Sequence, residues 1–280
     1  MLKFAANLTF LFADRPFLDR FAAAAQAGFA GVEYLFPYDV AAEEIRARLT
    51  AHDLTQALFN LPAGDWAGGE RGLAALPGRE ADFRAGLDLA RRYAAALGCT
   101  RLHAMAGIPP AGADPAAVRA TYLANIRHAA RVLAADGITL MIEPINSRID
   151  MPGYWLDSPR AAFALLDAIG EANVRVQYDL YHAQIMEGDL ARTLEYGLAR
   201  TLEYGLAGAA PRIGHLQVAD NPGRGEPGSG EIAYPFLFAT LERLGYNGWI
   251  GCEYKPAAST EAGLGWFAPY RRRDRPPLPA

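Results

Sequence analysis

This sequence predicts an α/β fold, a single-domain (β/α)8 TIM barrel, on three observations. Eight short apolar runs alternate with amphipathic stretches along the chain, and such alternation makes βαβ units and a parallel sheet. Eight units fit the 280 residues, since one closed barrel usually takes about 250. Several helix-to-strand joints share a sign, a glycine a few residues before the strand, as in "AGFAGVEYL", "LGCTRLHAM", "ADGITLMIE" and "LGYNGWIGCE". Glycine tolerates the positive φ found just past a helix end. The competing architecture, a doubly wound open sheet, usually carries a Gly-rich turn after strand one, and "FAANLTFLF" has none.

In order, the expected strands are "KFAANL" (3–8), "GVEYLF" (31–36), "QALFNLP" (56–62), "RLHAMAG" (101–107), "TLMIEPIN" (139–146), "VRVQYDLYH" (174–182), "IGHLQVAD" (213–220) and "WIGCEYKP" (249–256). Each is a short run rich in apolar, β-branched or aromatic residues. Between them, "FLDRFAAAAQAG", "AAEEIRARLTAHD", "FRAGLDLARRYAAALG" and "YLANIRHAARVLAADG" repeat apolar residues at helical spacing. Two segments break the rhythm. Residues 60–80, "NLPAGDWAGGERGLAALPGRE", form a long Gly- and Pro-rich loop of the kind that often serves as a lid. "ARTLEYGL" occurs at 191–198 and again at 199–206, and reads as a tandem duplication on the outer helical ring. The barrel is expected over 1–270. The tail 271–280, "RRRDRPPLPA", is polar and Pro-rich and is expected to be disordered.

Composition excludes several function classes. The chain is 51% hydrophobic and 21% charged, enough for a sizeable core. Its net charge is −4, with no basic cluster except Arg271–Arg273, which argues against a nucleic-acid partner. Two cysteines, Cys99 and Cys252, make no disulfide framework and suit a reducing compartment. Asn7, Asp14 and Arg15 break the apolar start, which also lacks a small-residue cleavage site, so no signal peptide is read. No run approaches the ~20 apolar residues of a membrane span. A cytoplasmic protein without a membrane partner is expected, and a homo-oligomer is compatible with this composition.

The run "ITLMIEPIN" ends in Glu143, and the pattern returns at "VRVQYD" (Asp179), "GHLQV" (Gln217) and "WIGCEYKP" (Glu253). A carboxylate after an apolar run is costly unless something pairs with it. The four residues are spaced 36, 38 and 36 apart, about one βα unit each. They therefore fall at equivalent strand ends, on the face where such barrels place their active sites. Like charges that close must share protons or hold a cation. An all-oxygen set suits Mg²⁺ or Mn²⁺ rather than Zn²⁺. The competing reading of each acidic residue alone is a helix N-cap or loop salt bridge. For Gln217 it is a core amide bonded to backbone.

Together, "FAANLTFLF", the 60–80 loop, "IEPIN", "YDLYHAQIMEGDL", "GHLQVADNPGRGEPGSGEI" and "GCEYKPAASTEAGLGW" resemble the hydroxypyruvate isomerase family of xylose-isomerase-like TIM barrels. The resemblance spans about residues 3 to 270. It implies two catalytic glutamates, matching Glu143 and Glu253, and a divalent cation at Glu143, Asp179, Gln217 and Glu253. The implied reaction interconverts hydroxypyruvate and tartronate semialdehyde through an enediolate, with no nucleotide cofactor. A 2-oxo-tetronate isomerase is the close alternative, and no residue decides between these small hydroxy-oxo acid substrates. A non-catalytic sugar-binding barrel and a metal-dependent endonuclease-like hydrolase are remote alternatives. The latter calls for a histidine-rich site and a basic groove, whereas this chain has five histidines.

Further candidates carry two readings each. His182 is a substrate contact or a capping loop histidine. Arg224 meets the substrate carboxylate bidentately or is solvated. Lys255, two residues after Glu253, points to the same side of the strand, as an ion-pair partner or a substrate contact. Glu70 and Arg71 are candidate lid residues. The glycines at 223, 225, 228 and 230 lack a following GK[ST] and read as a mobile loop over the site. His103 and His215 read as satisfied core or supporting histidines.

Overall fold

The computed structural model describes residues 1–198 and 211–271. The second "ARTLEYGL" copy and all but the first residue of the expected disordered tail lie outside the described residues.

Eight parallel strands close into a barrel: β1 (Lys3–Asn7), β2 (Gly31–Tyr34), β3 (Thr55–Asn60), β4 (Arg101–His103), β5 (Thr139–Ile142), β6 (Val174–Asp179), β7 (Ile213–Val218) and β8 (Trp249–Cys252). Closure is made by β8 on β1, from Lys3↔Trp249 to Ala6↔Cys252. The outer helices are α1 (Arg20–Gln26), α2 (Ala42–Ala51), α3 (Glu80–Leu97), α4 (Pro115–Ala134), α5 (Pro159–Ile169), α6 (Leu180–Met186), α7 (Leu190–Leu198) and α8 (Tyr234–Arg243). Local chemistry sets their ends. Asp114 caps α4 by accepting from the amides of Ala116 and Ala117, with Pro115 in the first turn. A 3₁₀ helix, Glu261–Tyr270, follows β8 and packs Trp266 and Phe267 against Phe4.

The strands are shorter than the apolar runs suggest. β5 stops at Ile142, β8 at Cys252 and β4 at His103. Pro144 has no amide hydrogen to extend the β5 ladder. Glu143 and Glu253 are thus the first residues past their strands, on the C-terminal rim.

The barrel interior is polar at this level. His215 Nε2 meets Glu33 Oε2 at 2.7 Å, and Gln217 Nε2 donates to Glu33 Oε1 at 2.9 Å. These contacts join β7 to β2, which are not neighbours in the sheet, so they cross the interior. Alternation turns Leu216 and Val218 outward, where both are buried beneath the helical layer.

The long loop after β3 is packed rather than free. Leu73 to Leu76 are buried. The amides of Ala74 and Ala75 donate to the carbonyls of Met105 and Ala106, and Asn125 Nδ2 donates to the Ala74 carbonyl. Gly72 (φ 122°) lies against the chain after β4, where a Cβ would stand 2.4 Å from the Met105 carbonyl oxygen. Residues 72–76 of the segment expected as a lid or binding loop are thus packed against the chain after β4.

Candidate active site

A cavity of about 250 Å³ opens at the C-terminal rim, and Glu143, Gln177, His182, Gln217, Arg224 and Glu253 line it. Its apolar wall includes Phe10, Trp66, Met105 and Met151.

Glu143 and Glu253 stand on opposite sides of the site, joined by two buried amides. Gln177 Nε2 donates to Glu143 Oε2 at 2.8 Å and to Gln217 Oε1 at 2.8 Å. Gln217 Nε2 donates in turn to Glu253 Oε2 at 2.6 Å. Asn7 Nδ2 adds bonds to Glu253 and Glu33, at 2.9 and 3.1 Å. Burial raises the Glu143 pKa well above the ordinary carboxylate value, and the charges of Glu253 and Asp179 add to it. Burial also raises Glu253; Arg224 opposes this, while Asp179 and Glu33 add to it. Both carboxyls therefore hold their protons more tightly than an exposed glutamate does.

Asp179 ends β6 and begins α6 without a loop. Its Oδ1 accepts from the Tyr181 and His182 amides, at 2.7 and 3.2 Å, so it is an N-cap. Its Oδ2 is buried and has no protein partner among the described residues. A buried carboxylate oxygen left open in this way calls for a ligand. Carboxylate oxygens of Glu143 and Asp179 lie within 4.8 Å of each other, with His182 beside them, so the two carboxylates fit a shared divalent cation.

The network assigns the His182 tautomer. Asn146 Oδ1 accepts from the amides of Ile149 and Asp150, which turns Nδ2 toward His182 Nδ1, at 2.7 Å. Nδ1 therefore accepts, and the proton sits on Nε2, which faces Asp179 Oδ2 at 3.9 Å. Burial lowers the His182 pKa to about 4, so the ring is neutral near pH 7. His182 is arranged as a donor into the site, while the carboxylates remain the oxygen ligands.

Arg224 is delivered by the loop after β7. Asp220 ties this loop by accepting from the amides of Asn221, Gly228 and Ile232. Arg224 sits at φ 55°, a sparsely populated conformation for a non-glycine residue that such ties can hold. Its Nη1 donates to Asp150 Oδ1 at 3.0 Å and its Nη2 to Glu253 Oε1 at 2.7 Å. Asp150 is also held by Asn146 Nδ2 and the Tyr181 hydroxyl. The fork expected to be open for a substrate carboxylate is thus occupied by protein carboxylates.

The other expected residues divide. Gln217 is a core amide, bonded to side chains rather than to backbone. Arg71 lines the cavity, whereas Glu70 turns to the Arg79 guanidinium and the Asp65 amide. Lys255 departs from expectation: its strand ends at Cys252, so strand alternation does not reach it, and it is exposed and outside the cavity lining. His215 Nε2 meets Glu33 and His103 Nδ1 lies 3.1 Å from Asn60 Oδ1, but His215 Nδ1 and His103 Nε2 are buried without a hydrogen-bond partner among the described residues, so neither is the fully satisfied histidine expected.

Sequence reasoning missed Gln177, Glu33, Asn7, Asn146, Asp150 and Tyr181. Gln177 carried a usable signal, because it stands two residues before Asp179 and shares its face of the strand. Glu33 interrupts the apolar run "GVEYLF" much as Glu143 ends its own. Asp150 carried none, since its position depends on the fold of the loop after β5.

The family model described as "Xylose isomerase-like TIM barrel" matches residues 21–270. A 2-oxo-tetronate isomerase of Cupriavidus necator is 55% identical over 98% of this chain and 100% of its own length. A hydroxypyruvate isomerase of Escherichia coli is 50% identical, covering 97% of this chain and all of that one. The crystal structure of an AP endonuclease, family 2, from Brucella melitensis is 51% identical with a TM-score of 0.90, covering 97% of this chain and 100% of that one. A D-allulose 3-epimerase of Methylomonas sp., solved with D-allulose, shares the fold at 21% identity and a TM-score of 0.71, covering 97% of this chain and 90% of that one.

Proposed function

The chain belongs to the xylose isomerase-like TIM barrel family, within it to the hydroxypyruvate isomerases, and from that premise we propose that it is an isomerase interconverting hydroxypyruvate and tartronate semialdehyde. The observation that carries this reading is the pair of buried, amide-linked glutamates, Glu143 and Glu253, at one cavity. Hydroxypyruvate bears a CH₂OH beside its ketone. Removing a proton from that carbon leaves an enediolate; returning a proton to the former carbonyl carbon, while the hydroxyl proton passes from the terminal oxygen to the former carbonyl oxygen, gives the aldehyde. One glutamate, ionised, takes the first proton, and the other, protonated, returns one. The raised pKa values bring both groups closer to the range in which each form is populated at neutral pH. Gln177 and Gln217 orient the two carboxyls without contributing charge, and His182 Nε2–H offers a hydrogen bond to a substrate oxygen.

Glu143 and Asp179 would hold a divalent cation, Mg²⁺ or Mn²⁺; Gln217 and Glu253 would join them as further oxygen donors only by exchanging their bonds to Gln177 and Arg224. When bound, that cation supplies Lewis-acid polarisation of the carbonyl and stabilises enediolate charge. The site calls for no nucleotide cofactor.

The 55% identity to the Cupriavidus enzyme favours a second substrate of the same chemistry, a 2-oxo-tetronate. A cavity of about 250 Å³ suits either small acid better than a nucleic-acid strand, so the endonuclease name of the Brucella relative is not carried over. The buried, unpaired Cys99 and Cys252 suit a reducing compartment, and we place the protein in the cytoplasm. No helix among the described residues is long and apolar enough to cross a membrane. The test is turnover of hydroxypyruvate against 2-oxo-tetronates, with Mg²⁺ and with chelator. Turnover of neither acid would reject the assignment.

A further inference from the structure

Two arginines reach this cavity from different loops, Arg71 and Arg224. Their surroundings give them different work. Both terminal nitrogens of Arg224 are taken by the carboxylates of Asp150 and Glu253. Substrate could recruit both terminal nitrogens at once only by displacing Asp150 and Glu253, which would leave buried carboxylates short of their cation; the Arg224 Nε, buried without a partner, remains for a single bond. Arg71 is bound otherwise. Its Nη1 donates to the carbonyls of Trp66 and Glu70, at 2.9 and 2.8 Å, and its guanidinium lies 4.3 Å from the Trp66 ring centroid. Among the described residues, no carboxylate pairs with Arg71, and its Nε and Nη2 have no protein acceptor. A guanidinium with two free donors on a cavity wall can take a carboxylate bidentately.

The loop that carries Arg71 is built to keep it there. The Gly72 amide donates to the Ala63 carbonyl, and Gly72 bridges Ala106. Glu70, immediately before Arg71, is held by the Arg79 guanidinium and by the Asp65 amide at 2.5 Å. Phe10, Leu35, Met105 and Met151 supply an apolar wall, which strengthens a charge pair formed beside it.

Resting on the isomerase reading above, we propose that Arg71 is the substrate-carboxylate anchor, and that it selects 2-oxo acids over neutral ketoses. Arg224 is then a positioning residue that holds Glu253. The two roles separate kinetically, because anchoring substrate acts on KM and orienting a catalytic group acts on kcat.

The experiment compares Arg71→Met, Arg71→Lys and Arg224→Met in the full chain, with folding checked by circular dichroism. Arg71→Met should raise KM for hydroxypyruvate roughly 10- to 100-fold, as expected for losing hydrogen bonds to a charged group, with a smaller fall in kcat. Arg71→Lys should recover part of the loss, and Arg224→Met should lower kcat more than it raises KM. A KM for Arg71→Met within about 3-fold of the wild type, beside a large rise in Arg224→Met, would move the carboxylate to Arg224 and overturn the proposal. If the wild type turns over neither acid, the isomerase reading falls, and calorimetric titration with glycerate still decides this one. Weaker glycerate binding in Arg71→Met supports the anchor. Equal binding, or no binding to the wild type, overturns it.

Discussion

Gln217 donates one amide hydrogen to Glu253 at 2.6 Å and the other to Glu33 at 2.9 Å. An amide does not titrate near neutral pH, so it can fix two carboxyls without neutralising either. Its Oε1 accepts from Gln177, which reaches Glu143, and this closes a non-titrating link between the two proposed acid–base groups.

Glu143→Gln and Glu253→Gln should each lower kcat by at least ~10²-fold, the low end for general acid–base catalysis. Glu143→Gln should melt at or above the wild-type temperature when metal is absent, because a carboxyl destabilised by burial and like charge is removed, whereas Glu253→Gln strips the buried Arg224 of a partner and should melt lower. Steady-state kinetics beside differential scanning calorimetry checks both. Near-full activity in either variant would remove that residue from the chemistry.

Gln177→Leu should reduce stability by about 1–3 kcal/mol, because it strips a buried partner from both Glu143 and Gln217. It should also lower kcat with little change in KM. Urea unfolding at constant m, alongside kinetics, reads both effects. An unchanged midpoint would show that the amide link holds nothing in place.

The cation requirement has a pH signature. The raised pKa values of Glu143 and Glu253 mean that a bound cation favours their ionised forms at the expense of protons, so binding should tighten as pH rises. EDTA should abolish turnover, and Mg²⁺ or Mn²⁺ should restore it. Calorimetry in two buffers of different ionisation enthalpy measures the protons released. Full activity in stripped protein would contradict the requirement.

Stability should respond to pH in two opposed windows. Burial lowers His103 to about 3 and His182 to about 4, from 6.5. The unfolded chain takes up these protons first as pH falls, so stability is lost from about 6.5 down toward 4, by up to about 1.4 kcal/mol per pH unit for each histidine. The glutamates act in the opposite direction: unfolded carboxyls ionise near 4.5 while the folded ones stay protonated, so stability is lost as pH rises above that value. Metal-free His103→Gln should therefore lose less stability than the wild type on acidification. The advantage of Glu143→Gln over the wild type should grow as pH rises. Thermal melts across pH 4 to 8 check both, and a shift of either variant in the opposite direction would contradict the corresponding pKa shift.

The barrel was legible because eight apolar runs alternate with amphipathic ones, and closure needed only their count. Glu143, Asp179, Gln217 and Glu253 were legible because one βα unit separates each from the next. Strand ends were less so. Reading β8 through to Pro256 placed Lys255 on the same side as Glu253, but the ladder stops at Cys252. The polar barrel interior was hidden for a different reason. Glu33 and His215 are 182 residues apart, and only the closed barrel brings β2 opposite β7. The occupied fork of Arg224 depends on Asp150, whose place is set by the loop after β5, which has no periodicity to read.

The most direct test of the account follows hydroxypyruvate by NMR in D₂O with Mg²⁺, using the wild type and the Glu143→Gln, Glu253→Gln double variant. The wild type should form tartronate semialdehyde, with deuterium entering at the carbon that was the ketone, and the double variant should form it at least ~10²-fold more slowly. Failure of the folded wild type to convert the acid, or conversion at comparable rates by both proteins, would contradict the assignment of the chemistry to this pair of glutamates.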